Sequence, residues 1–285
     1  MITGRVRNGL LTMMLAGALS SGSACSGKKN TEIIVAVQTD LRVPKDLDAI
    51  TLRVLSRGAV QHEETHVLGP FALRLPATIG LVPADDGDLQ PIEVQVIGRF
   101  SKDPQVDPAL RDEKVLRKAR LTFARGRVGL VRLPLKFSCY DVTGCKEAET
   151  CIAGACVPTP LIEGTAMPDY SAEAVFGPGG NEQQQGTCFD AQSCLTSAVG
   201  ITATDDPCVY SLAGAPAPDG GPRRLDPTLP INVSLATAPG GLGFCDATAC
   251  RVPLDLDPLE GWTWLDETKT GIRLSQGICA KVVAA

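Results

Sequence analysis

Aromatic residues are scarce in this chain: Phe, Trp and Tyr together make up 4% of its 285 residues. Histidine is scarcer still, with His62 and His66 the only two. Positive charge is not in excess; the formal net charge is -5. Nucleic-acid binding needs a basic face, often with interleaved aromatics, so the composition argues against that partner and against a polybasic membrane surface. The apolar stretch Leu10 to Leu19 (LLTMMLAGAL) is too short to span a bilayer as a stable helix. No C-x-x-C occurs, which removes the zinc-ribbon spacing. No G-x-S-x-G occurs, and both histidines fall in one short segment, so no Ser-His-Asp arrangement is supported. Gly240-Gly241-Leu242-Gly243 lacks the lysine and following helix of a phosphate-binding loop and reads as a turn.

Glycine and proline are abundant, at 29 and 21 residues. With 44% hydrophobic residues, that mix favours short strands and many turns, and the fold class is mainly β. Strands are predicted at Thr31 to Thr39, Ala49 to Leu55, Val60 to Leu68, Phe71 to Leu75, Ile79 to Val82, Ile92 to Ile97, Val115 to Phe123 and Val128 to Phe137. Ile50, Leu52 and Val54 alternate with Thr51 and Arg53, the period of a half-buried strand. Arg125-Gly126-Arg127 reads as a hairpin turn between the last two strands. About seven short strands over 31–138 suggest an immunoglobulin-like or transthyretin-like sandwich. Pro108 to Lys114 carries the one helical hint there, a turn or two within a loop.

The N-terminus reads as a processing segment. Arg5 and Arg7 precede the apolar stretch, and small residues lead to Ala24 and Cys25. Residues 1–24 are thus expected to be a signal peptide, with 25–30 a short tether. Cysteine arithmetic supports a special role for Cys25. Eleven cysteines are present; setting Cys25 aside leaves ten, enough for five disulfides. Those ten are Cys139, Cys145, Cys151, Cys156, Cys188, Cys194, Cys208, Cys245, Cys250 and Cys279.

The four cysteines of 139–157 form a compact module too small to bury a core of its own. Two short-range disulfides are expected to hold it together. The Thr150–Val157 stretch is similar to the final loop of small EGF-like cysteine-rich modules. Residues 158–187, rich in Pro, Gly and Gln, read as a linker, either flexible or draped over a neighbour. A second disulfide-bonded β domain is expected over 188–285, with strands at Val209 to Leu212, Ile231 to Thr237, Cys250 to Leu254 and Gly271 to Leu274. Its six cysteines allow many pairings, and spacing does not choose among them.

The most pointed motif is His62-Glu63-Glu64-Thr65-His66, which spells the H-E-x-x-H of zinc hydrolases. That chemistry needs a helix, on which residues four apart share a face and converge on one metal. Here the string lies between Gly58 and Gly69-Pro70, with short apolar ends and no helical stripe. It is expected to be a strand, paired back on Ala49–Leu55 through Ser56–Gly58. In a strand the two histidines stand about 13 Å apart, beyond the reach of one zinc. His62, Glu64 and His66 are then expected on one solvent-facing side of a sheet edge.

Trp262 and Trp264 are spaced to share a strand face. They are either a stacking surface for a glycan or the plug of a small aromatic-poor core. Asp85, Asp86 and Asp88 are either a calcium loop or a solvated turn.

The stretch ending in Ser23-Ala24-Cys25 resembles the lipobox of bacterial lipoproteins. The whole plan, from signal to second β domain, resembles the uncharacterised surface lipoproteins of Gram-negative envelopes. That resemblance implies lipidation of Cys25, a membrane partner through the lipid, and, with Ser26 following, sorting to the outer membrane. The expected role is binding or structural, with a protein or glycan as ligand and no catalysis, cofactor or metal. The alternatives are a zinc hydrolase through His62 and His66, or a carbohydrate-binding module using Trp262 and Trp264.

Overall fold

The computed structural model describes residues 30–84, 89–177, 195, 198–212 and 231–284. The chain is mainly β, as its composition predicts.

Two sheets form the N-terminal sandwich. One is three-stranded in the order β4 (Ala77–Leu81), β1 (Glu32–Val37), β7 (Val128–Arg132). The other contains β2 (Ala49–Ser56), β3 (Ala59–Val67), β5 (Ile92–Phe100), β6 (Asp112–Leu121) and β10 (Leu161–Ile162), in the order β10-β6-β5-β2-β3. Alternation along each strand builds the core. Ile33, Val35 and Val37 of β1 are buried together with Ile50, Leu52 and Val54 of β2 and with Val94 and Val96 of β5.

The strand expectations hold at Ala49, Val60 and Ile92 and fail at two places. Phe71 to Leu75 is not a strand; Phe71 is fully exposed and the stretch turns, with a single bridge from Leu73 to Leu68. The Arg125–Arg127 turn does not close a hairpin. β6 pairs with β5 and β10, whereas β7 crosses to the other sheet and lies parallel to β1. Local turn chemistry bends the chain there, but it does not choose the partner, and β7 becomes the edge strand beside β1.

Residues 158–177 of the expected linker lie against the sandwich. Leu161 and Ile162 add β10 in parallel to β6. The Arg127 guanidinium then donates to the carbonyls of Thr165 at 2.9 Å and Met167 at 3.0 Å and pairs with Asp169 at 2.6 Å. Helix α1 (Ala172–Phe176), capped by Ser171, places Val175 on Ala36 and Leu130, covering the outer face of the three-stranded sheet. Residues 178–187 lie outside the described residues.

The cysteine module is a hairpin of β8 (Glu149–Ile152) and β9 (Ala155–Pro158), turned at Ala153-Gly154, both with positive φ. Cys139–Cys151 and Cys145–Cys156 are its disulfides. The C-terminal part has two further sheets. One orders β11 (Val209–Ser211), β16 (Gly271–Leu274), β15 (Trp262–Trp264) as β11-β16-β15. The other orders β12 (Val233–Thr237), β14 (Cys250–Leu254), β13 (Phe244–Cys245) as β12-β14-β13. Cys208–Cys279 and Cys245–Cys250 are bonded here. The chain ends in helix α2 (Gln276–Ala284), which the sequence reading did not anticipate. Gly277 at its start touches the hairpin tip so closely that a side chain there would meet the Ala153 carbonyl.

Candidate functional site

The H-E-x-x-H string lies within β3, an edge strand of the five-stranded sheet. Its register with β2 places His66, Glu64 and His62 opposite Ile50, Leu52 and Val54. Those three residues of β2 are buried, so the histidines share the core-side face, but at the sheet edge they remain open to solvent. The Glu64 carboxylate stands between the rings, 3.6 Å from Nε2 of each. The rings approach it from opposite ends of a strand and do not form the paired face that a helix would give. On the other face Arg53 grips Glu63 at 2.6 Å, and the Thr51 and Thr65 hydroxyls meet at 2.8 Å. Gln61 is the extra residue of a bulge, a common device at an exposed edge. Among the described residues no group of three or more His, Cys, Asp and Glu is arranged to hold a metal. Asp85, Asp86 and Asp88 lie outside the described residues.

Trp262 is 3% exposed, and its indole N–H donates to the Leu254 carbonyl at 3.1 Å. It is a core plug and offers no face to a sugar. Trp264 is half-buried and meets Trp262 edge-on, with ring centres 5.1 Å apart. The Lys269 ammonium lies 5.0 Å from the Trp264 ring centre. The pair therefore does not form a flat platform.

A cavity of about 530 Å³ opens between the two C-terminal sheets. Tyr210, Leu212, Leu254, Ile272 and Leu274 supply much of its apolar wall. Asn232, Ser234 and Arg251 supply polar groups, with Arg251 held by Asp246 at 2.5 Å. Hydrogen bonds from Thr248 and Ala249 and the Arg251 pair hold the Asp246 carboxyl well below the usual carboxylate range. The wall is apolar and polar in equal measure, with polar groups converging at one end, which a small-molecule site can use to orient a ligand. The strands lining it were legible in the sequence; the gap between the sheets was not.

A buried polar seam joins the parts of the molecule. Arg117 of β6 and Glu260, on the turn before β15, pair with both side chains inside. The Glu260 carboxylate also accepts the Ala153 amide at 3.1 Å and the Ser138 hydroxyl at 3.5 Å. Asp46, 1% exposed, accepts the Gly243 amide at 2.7 Å. Arg42 lies over the Phe244 ring at 4.6 Å. Lys136, 2% exposed, pairs with Asp255. Asp40 accepts the Phe137 amide at 2.7 Å, and its other oxygen has no hydrogen-bond partner among the described residues. Burial pushes the Asp40 carboxyl up to about 7, against the pull of Lys136 and helped by the Asp255 charge. Burial disfavours the Lys136 ammonium, but Asp40, Asp255 and Glu260 outweigh it and hold its pKa above the usual lysine value.

No known family model and no curated protein matches this chain.

Four disulfides are formed among the described residues. Cys25, Cys188 and Cys194 lie outside the described residues. No described helix is long and apolar enough to cross a membrane.

Proposed function

We propose that this chain is an exported, lipid-anchored envelope protein, held through Cys25 at the outer membrane, whose folded part binds or scaffolds and does not catalyse. The disulfide set supports this reading most directly. Bonds such as Cys139–Cys151 and Cys208–Cys279 form and persist in oxidising compartments and are rare in the cytosol. The test is the N-terminal peptide of protein purified from bacterial membranes. A mature terminus at Cys25 carrying acyl chains is expected, with release into the soluble fraction on Cys25→Ala. A free terminus at another residue overturns the anchor.

The cavity between the C-terminal sheets favours a binding role over a purely structural one. Its wall suits a small amphipathic ligand with a hydrogen-bonding end set near Asn232, Ser234 and Arg251. An anilinonaphthalene dye is expected to bind the folded chain with one-to-one stoichiometry, and Ser234→Phe to abolish that binding. Equal dye binding by wild type and variant removes the cavity from the account.

A further inference from the structure

The free edge of β3 has defined ends and a defined centre. The Leu68 amide donates to the Asp48 carbonyl at 2.8 Å, which fixes the phase of the β2–β3 ladder. In an antiparallel ladder, alternate residues turn their backbone groups towards the same neighbour. His62, Glu64 and His66 therefore face β2 with their N–H and C=O groups, and those of Glu63 and Thr65 point away from the sheet. Beyond His66 the edge is closed, because the Val67 carbonyl accepts the Leu73 amide at 3.1 Å. At the other end the bulge at Gln61 breaks the regular ladder. The regular open stretch is thus 62–66, and Glu64 is its midpoint.

Such a stretch can pair with a second copy of itself about a two-fold axis at Glu64. Glu63 of each chain then lies opposite Thr65 of the other, each pair exchanging both backbone hydrogen bonds. His62 lies opposite His66 of the second copy, and Glu64 opposite Glu64. These are the non-hydrogen-bonded positions, where Cα atoms stand about 4.5 Å apart and side chains are closest. The histidines and Glu64 of both chains share one face of the joined sheet.

We propose that two copies of this chain pair antiparallel along β3 and bind two zinc ions, each held by His62 of one copy, His66 of the other and a Glu64 carboxylate. The string that cannot close on one metal within a chain closes across two. Opposed residues have Cβ atoms about 4.5–5.5 Å apart, so their imidazoles can meet at a zinc about 2.0–2.1 Å from each nitrogen. Glu64 is already placed to complete either site. Its carboxylate is 3.6 Å from Nε2 of both histidines of its own chain, close to the roughly 3.4 Å that separates two ligand atoms on a tetrahedral zinc. Two imidazoles and one carboxylate leave the fourth position to water. The side chains are open to an incoming ion: His62 is 54% exposed, Glu64 56% and His66 35%. Without metal, Glu64 meets its own copy head on, and like charges directly opposed across strands are destabilising. Zinc on either side removes that repulsion, so pairing is conditional on the metal. Glu63 adds no comparable penalty, because Arg53 holds it at 2.6 Å.

The test is native mass spectrometry, which reads oligomer and bound zinc together. It uses the full-length chain in mild detergent, exported so that its disulfides form and carrying no added histidines. A monomer is expected in EDTA. Zinc chloride should double the mass, with one zinc per chain, and EDTA should reverse it. His62→Ala and His66→Ala should each stay monomeric, because each strips one imidazole from both sites. An equal mixture of the two variants should regain a dimer carrying a single zinc, since one site then has both imidazoles and the other has neither. Wild type that stays monomeric in zinc, or binds zinc as a monomer, overturns the proposal, and this holds even if a variant fails to fold. A dimer equally abundant in EDTA overturns the role of the metal, and a mixture that stays monomeric overturns the register.

Discussion

Glu260→Ala should be among the most damaging single changes in the molecule. One oxygen of the Glu260 carboxylate holds Arg117, and the other accepts the Ala153 amide at 3.1 Å and the Ser138 hydroxyl at 3.5 Å. Both charged residues are 6% exposed. The truncation strands Arg117 with the Cys151 carbonyl, at 2.5 Å, as its remaining hydrogen-bond partner. Leaving one member of a buried ion pair alone costs about 3–5 kcal/mol. An orphaned buried amide adds about 1 kcal/mol. The expected loss of about 4–6 kcal/mol corresponds to a fall in Tm of roughly 10–15 °C for a chain of this size. Urea unfolding with disulfides intact, followed by the fluorescence of buried Trp262, measures it directly. Arg117→Met combined with Glu260→Leu should recover most of the loss, since two apolar side chains carry no desolvation penalty. A shift worth under about 1 kcal/mol for Glu260→Ala would refute the reasoning, because the pair would then contribute no more than an exposed one.

Burial holds a proton on Asp40 up to about 7, where an unfolded aspartate releases it near 3.8. The folded state therefore binds the extra proton between those values, and stability should fall as pH rises through that window and then level off, by up to about 4 kcal/mol. Urea midpoints at about pH 5 and about pH 8 should differ in the wild type and converge in Asp40→Asn; an unchanged difference in the variant would place the titration elsewhere. Replacing the Cys208–Cys279 pair by serines should cost about 4 kcal/mol, against about 2 for Cys245–Cys250, because the first closes a far longer loop. Equal losses would show that loop entropy does not govern these bonds. Trp262→Ala should cost about 3–5 kcal/mol through the cavity it leaves, and Trp264→Ala markedly less; thermal unfolding of the two variants in parallel ranks them, and the reverse order would contradict the burial.

The strands that could be read from sequence are those whose faces differ. Ile50, Leu52 and Val54 alternate against polar neighbours, and β2 forms where they place it. The H-E-x-x-H string was legible as a strand for the same local reason: glycines bound it and no apolar stripe runs through it. Pairing partners were less legible. The Gly126 turn looks the same whether it joins neighbours in one sheet or carries the chain to another, and here it does the latter. Helix α2 is short, contains a glycine and two adjacent valines, and takes its stability from docking against the cysteine module. Of the alternatives for the tryptophans, the structure assigns Trp262 to the core. The polar seam gave no signal at all. Nothing in the local pattern marks Arg117 or Lys136 as buried, and only the return of the chain at Asp255 and Glu260 encloses them. The sequence bounded the number of disulfides but not their partners, because pairing depends on how the sheets meet.

The placement of β1 has a mechanical consequence. It is the central strand of its sheet, antiparallel to β4 and parallel to β7, with five residue pairs on each side. A pull applied at Glu32 along the strand, against an anchor elsewhere in the fold, loads both ladders lengthwise. The bonds then resist together and cannot be peeled apart one after another. A protein tethered from that end and tugged by whatever it holds should yield abruptly at high force, and single-molecule stretching from residue 30 would record one tall peak for this sheet.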